Sequence, residues 1–198
     1  MEIEADRSEA AQLVLPRFAV VDIETSGLSL RRHRILQVAV VTIEDGAVVD
    51  EWSSLVRLRW PWQRVGARSV HGIDRRSLRT APDRRRVIRE LADRLEGTVF
   101  TAHNAAFDWS FIARAARRER VALPPVQQLC TLRLSRRLDP DRTASHRLDD
   151  LCLRYDVTNS RPHDALQDAR ATAAVLQHLL TANQVAAPED LDALYERR

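Results

Sequence analysis

Between Arg17 and Glu24 the chain reads RFAVVDIE, apolar on both alternating stripes of a strand until it ends in two carboxylates. A strand that is apolar on both faces has to be covered on both, so it belongs at the centre of a sheet flanked by helices. Two β-branched runs follow, Ile35 to Ile43 and Ala47 to Val56. They are separated by the turn signal Glu44-Asp45-Gly46, and the three segments predict an antiparallel meander. Residues 57–82 lack clear periodicity and predict an irregular connection with a helical turn around Asp74.

Helices then alternate with strands. Asp83 to Leu95 carries Val87, Ile88, Leu91, Ala92 and Leu95 on one face and stops at Gly97. Thr98 to Ala102 reads as a strand, Ala105 to Arg118 as a helix, and Val126 to Cys130 as a short strand after Pro124-Pro125. Ser145 to Tyr155 and His163 to Leu180 repeat the helical period, the latter behind Pro162. The order β-β-β-α-β-α-β-α predicts an α/β domain built on a mixed sheet. We expect a polar lead over residues 1–16, one domain over 17–182, and a loose acidic tail over 183–198.

Composition narrows the setting. The chain has 198 residues, 44% apolar and 30% charged, with a mean hydropathy of -0.35, as in an ordinary folded globular protein. No run approaches the ~18 apolar residues a spanning helix needs, and the first fifteen residues are acidic where a signal peptide would be basic. Cys130 and Cys152 show neither ligand nor redox spacing. A cytoplasmic, reducing location with no membrane partner is the expectation.

All 31 cationic side chains are arginine, and they are unevenly placed. Residues 57–94 hold twelve Arg against four acids, and residues 113–147 hold nine against three, so these segments carry +8 and +6. Arginine matches phosphate oxygens with a planar fork, so a phosphate-bearing partner is one reading and a solvated helix face the other.

Asp22 and Glu24 lie two apart on a strand and leave it on the same face, the face of Phe18 and Val20. Carboxylates on a core-side stripe carry a desolvation cost unless a cation neutralises them, and hard divalent ions do so best. Asp108, beside Ile112 and Ala115, and Asp168, flanked by Leu166 and Ala169, also stand where a helical wheel expects an apolar or small residue. Four acids therefore point inward. His163, five residues before Asp168, reads either as a helix-start residue or as a general base to a water.

Three segments carry a resemblance: DIETSGL at 22–28, HNAAFDWSFI at 103–112 and HDALQDA at 163–169. Together, over about residues 17–182, the chain resembles the DEDDh (DnaQ-like) 3'-to-5' exonuclease family. Its members include the proofreading epsilon subunit of bacterial DNA polymerase III, RNase T and oligoribonuclease. The resemblance implies a ribonuclease H-like fold, a five-stranded mixed sheet with helices on both faces. It implies Asp22, Glu24, Asp108 and Asp168 as ligands for two Mg²⁺ or Mn²⁺ ions and His163 as the base. The sister subgroup would place a tyrosine where Asp164 stands.

Looser matches imply substrate contacts at Thr25, His71, Asn104 and Phe107. For His71 a loop histidine satisfied by the backbone is the other reading, and for Phe107 it is core packing. Cys130 stands where many relatives carry Asp, and a small buried thiol is the expectation. Trp60-Pro61-Trp62 either stacks bases or pins its loop to the body.

The implied activity is hydrolysis of single-stranded 3' ends to nucleoside 5'-monophosphates. Glu24-Thr25-Ser26-Gly27-Leu28 is closer to the DNA-proofreading pattern than to the oligoribonuclease one. An RNA-trimming exonuclease of the RNase T type and a catalytically silent nucleic-acid-binding module remain as alternatives. Only residues 183–198 follow the last helix, so polymerase association, still open, has no evident extension behind it, and a stand-alone or loosely recruited nuclease is expected.

Overall fold

The protein is described here from a computed structural model covering residues 15–59, 63, 65–66 and 68–196. Most of the predicted polar lead and the Trp60-Pro61-Trp62 triplet lie outside the described residues.

Strands β1 (Phe18–Thr25), β2 (Ile35–Glu44) and β3 (Ala47–Leu55) form the expected antiparallel meander. Strands β4 (Val99–Ala102) and β5 (Gln128–Cys130) add on the other side of β1, each parallel to its neighbour. The sheet is five-stranded and mixed, in the order β3-β2-β1-β4-β5, so β1 is central. Its two apolar stripes go to separate cores. Ala19, Val21 and Ile23 pack with Val87, Ile88, Phe111 and Ile112 on one side, and Phe18 and Val20 pack with Leu176 and Leu179 on the other.

The first core is closed by α3 (Arg84–Leu95) and α4 (Ala105–Glu119), the second by α5 (Thr131–Arg137), α6 (Leu148–Arg154) and α7 (Ala165–Ala182). Two short helices, α1 (Arg68–His71) and α2 (Arg75–Thr80), precede α3. Asp74 caps α2 by accepting from the Ser77 amide at 2.8 Å, which realises the helical turn expected there.

Several boundaries differ from expectation. β5 is three residues long because Val126 and Gln127 precede the ladder, and α6 begins at Leu148 rather than Ser145. α7 begins at Ala165, with Asp164 as its cap, so His163 lies outside the helix in the left-handed region at φ 65°. Helix α5 was not anticipated. Residues 183–196 are not loose: a 3-10 turn over Pro188–Leu191 buries Leu191 completely against the second core. The Glu196 amide donates to the Gln128 carbonyl at 2.8 Å, so the tail covers the exposed edge of β5.

Candidate active site

Three elements end at one point. β1 brings Asp22 and Glu24 to its C-terminal end, α4 carries Asp108 in its first turn, and α7 carries Asp168 in its first turn. Both helices therefore aim their N-terminal, partially positive ends at this point, which offsets part of the crowding of negative charge. The register of β1 against β2 shifts between Glu24 and Thr25, a bulge of the kind that re-aims side chains at a strand end.

Asp108 is only 4% exposed and Asp168 only 9%, so both inward acids are buried as the helical wheels predicted. Asp168 is held at both oxygens: Asn159 Nδ2 donates to Oδ1 at 2.7 Å, and the His163 amide donates to Oδ2 at 3.0 Å. Its side chain brings the imidazole of His163 close. One ligand atom each from Glu24, His163 and Asp168 lies within 4.8 Å of the other two, with the histidine exposed to solvent.

The electrostatics are those of carboxylates crowded together under cover. Burial, and after it the charges of Asp108, Asp168, Glu24 and Asp164, push Asp22 well above the usual carboxylate range. Glu24 is pushed up to about 8, first by burial and then by Asp168 and Asp164. Burial raises Asp108 as well, against backbone hydrogen bonds from its own amide and from Ile23. Burial also raises Asp168, opposed by Asn159 and the His163 amide. Every charged neighbour that perturbs Asp22 is a carboxylate. Hard oxygen donors packed this closely fit a divalent metal ion, and Asn159 Oδ1, buried with no hydrogen-bond partner among the described residues, adds an unmatched acceptor nearby.

The looser candidates are less uniform. Thr25 is buried and its hydroxyl donates to the Gly27 carbonyl at 3.0 Å. Both ring nitrogens of His71 are engaged by backbone: Nε2 donates to Gly66 and Nδ1 accepts from Ile73, each at 3.0 Å. Burial lowers the His71 pKa first, and the charge of His163 contributes, so the ring sits within electrostatic reach of the site. Gly66 makes that seating possible, because a Cβ there would lie 2.1 Å from the Ser26 carbonyl at a φ of +57°. Asn104 starts α4 in the left-handed conformation with its side chain free of capping duty. Phe107 packs against the first core, its ring 5.0 Å from that of Phe111.

Two residues of the site carried no signal in the sequence. Asn159 is one polar residue in a loop, and only the fold reveals that it grips Asp168. Asp164 caps α7 through the amides of Leu166 and Gln167 while adding its charge to those on Asp22 and Glu24. Cys130 is buried at the end of β5, as a small thiol in that place should be.

The exonuclease family model RNase_T matches residues 19–176, the span that contains Asp22, Glu24, Asp108, His163 and Asp168. The chain belongs to this exonuclease family. Among curated members of the family, the PolC-type DNA polymerase III of Bacillus subtilis is 31% identical over 169 residues, covering 82% of this chain but 11% of that protein. The chain thus spans only about a tenth of that relative's length. Among solved exonuclease structures, E. coli exonuclease I in complex with a dT13 oligonucleotide aligns with a TM-score of 0.75 at 19% identity, over 85% of this chain and 42% of that one. Exonuclease X in complex with 5' overhanging duplex DNA aligns at 0.67 and 26% identity, over 90% of this chain and 98% of that one. The fold of this exonuclease-family chain is the ribonuclease H-like one of these enzymes. No helix among the described residues is long and apolar enough to cross a membrane.

Proposed function

We propose that this chain is a DEDDh-type, metal-dependent 3'-to-5' exonuclease that shortens single-stranded 3' ends, DNA in preference, releasing nucleoside 5'-monophosphates. The observation that carries this reading is the convergence of Glu24, His163 and Asp168 within 4.8 Å, backed by Asp22 and Asp108. DNA preference is supported by the Glu24-Thr25-Ser26-Gly27-Leu28 pattern.

Asp22, Glu24 and Asp168 would hold one Mg²⁺ or Mn²⁺ ion, and Asp22 with Asp108 a second. When bound, such ions supply positive charge to the attacked phosphate and to the departing oxygen. The chain's own residues do the rest. His163, exposed at the mouth of the cluster, takes the proton from the attacking water. Asn159 and the His163 amide fix both oxygens of Asp168, so that its orientation is set before substrate arrives. The partially positive N-terminus of α4 points at the cluster, where it favours the negative charge of an incoming phosphate.

The test is product analysis on paired substrates, a linear oligonucleotide with a free 3' hydroxyl and the same strand circularised. Nucleoside 5'-monophosphates from the linear strand alone are the expected result. Oligonucleotide fragments from the circle would reject an exonuclease.

A further inference from the structure

A groove of about 610 Å³ opens beside the cluster, lined among others by His103, Asn104, Arg136, Arg142, Ser145 and Arg147. Its size lies within the range of ordinary ligand sites. Asn104, one of its lining residues, starts the helix carrying Asp108, which links the groove to the cluster. Its three arginines come from three places: the last turn of α5, the loop after it, and the cap of α6. All three side chains are exposed, and among the described residues none forms an ion pair with a carboxylate. Arg136 and Arg142 also line a neighbouring cavity with Arg133 and Arg137, so the basic surface continues away from the cluster.

The loop that presents Arg142 is braced. Asp139 accepts from the Thr143 amide at 3.1 Å, the Thr143 hydroxyl at 3.0 Å and the Ala144 amide at 2.9 Å. His146 bridges Asp139 at 3.1 Å and the Ser135 hydroxyl at 2.8 Å, and His103 contacts the Thr131 hydroxyl at 2.9 Å. The line Ser135-His146-Asp139 has the connectivity of a hydrolase triad, but Ser135 is 1% exposed, so it serves as a clamp. Arg142 is held at φ 52°, a left-handed conformation uncommon outside glycine that persists only where surrounding contacts enforce it. Three unpaired guanidiniums on a braced scaffold are preorganised for a polyanion whose charges repeat along a chain.

We propose that this groove binds the phosphodiester backbone upstream of the 3'-terminal nucleotide, with Arg136, Arg142 and Arg147 contacting successive phosphates. The direction of the strand rests on the nuclease reading; the binding itself does not. Phosphate contacts are blind to the sugar, so DNA and RNA strands should both use the groove.

The test is fluorescence anisotropy of 5'-labelled dT12 and rU12 in EDTA, where nothing is cut. The double variant R136Q/R142Q should bind both strands about 10- to 50-fold more weakly at 50 mM salt. Its log-affinity against log-salt slope should be shallower by about 1.4, two single-strand phosphate contacts' worth. The single variant R147Q, on a separate element, should lose about 0.7 of slope and serves if the double variant folds poorly. R86Q/R89Q removes the same charge from exposed positions of α3, on the other face of the sheet, and should change affinity less than threefold. Equal losses in the groove and control variants, or none in either, would overturn the proposal. Cutting assays on the same proteins with Mg²⁺ separate the two readings. Groove-dependent binding without cutting would reject the nuclease and leave the groove, and cutting with groove-independent binding would do the reverse.

Discussion

The backbone amide of His163 donates to Oδ2 of Asp168 at 3.0 Å, so the residue we propose as the base is tethered to the carboxylate beside it. The left-handed turn at residue 163 brings the amide inward and leaves the imidazole at the solvent-facing mouth. Substituting the side chain should therefore leave the tether in place. His163→Gln is expected to lower kcat strongly while KM changes little, and equal losses in both would argue against a base. Steady-state kinetics on a labelled oligonucleotide reads the split.

Asn159 holds the other oxygen of Asp168 at 2.7 Å. It is a positioning residue. Asn159→Ala should raise the metal concentration for half-maximal activity about tenfold or more, the usual cost of losing an outer partner of a metal ligand. Metal titration of activity checks it, with an unchanged midpoint counting against the assignment.

The raised carboxylates make a signed prediction for stability. Glu24 goes from an ordinary value of 4.5 unfolded to about 8 folded, and Asp22, Asp108 and Asp168 shift in the same direction. The folded state then binds more protons than the unfolded one across this window, so stability falls as pH rises from about 4.5 toward 8. Asp139, lowered to about 2, has the opposite sign but titrates below the window, and His103, lowered by burial from 6.5 to about 4, opposes the fall in the lower part of the window, so the net fall is read from pH 6 upward. Thermal denaturation in EDTA should show Tm falling from pH 6 to pH 8 by more than about 2–4 °C, the shift 1 kcal/mol gives at this chain length. Millimolar Mg²⁺ should flatten that slope.

Leu191 is completely buried in a segment whose composition reads as a loose tail. Leu191→Ala should cost about 2–5 kcal/mol, as large-to-small changes in a closed core do. Urea unfolding measures it, and a change below about 0.5 kcal/mol would mean the tail is not anchored.

What the sequence disclosed depended on how much chain carried each signal. β1 announced itself through apolar residues on both stripes, and Asp108 and Asp168 through their conflict with apolar helix faces. Helix α5 did not, because Thr131 to Arg137 is barely two turns, rich in arginine, with Leu134 its one buried aliphatic residue. The tail was illegible for a similar reason: Leu191, Leu194 and Tyr195 are sparse among polar residues, and only the assembled second core gives them a place to pack. Asn159 and the Asp139-His146 clamp are polar contacts made in three dimensions, which no spacing along the chain encodes.

The most direct measurement is product mapping of 5'-labelled single-stranded DNA and RNA of one sequence, with Mg²⁺ or Mn²⁺, beside Asp168→Asn. The account predicts a metal-dependent ladder receding from the 3' end, faster on DNA, and absent in the variant. A ladder that persists in Asp168→Asn, or intact strands with every metal, would contradict it.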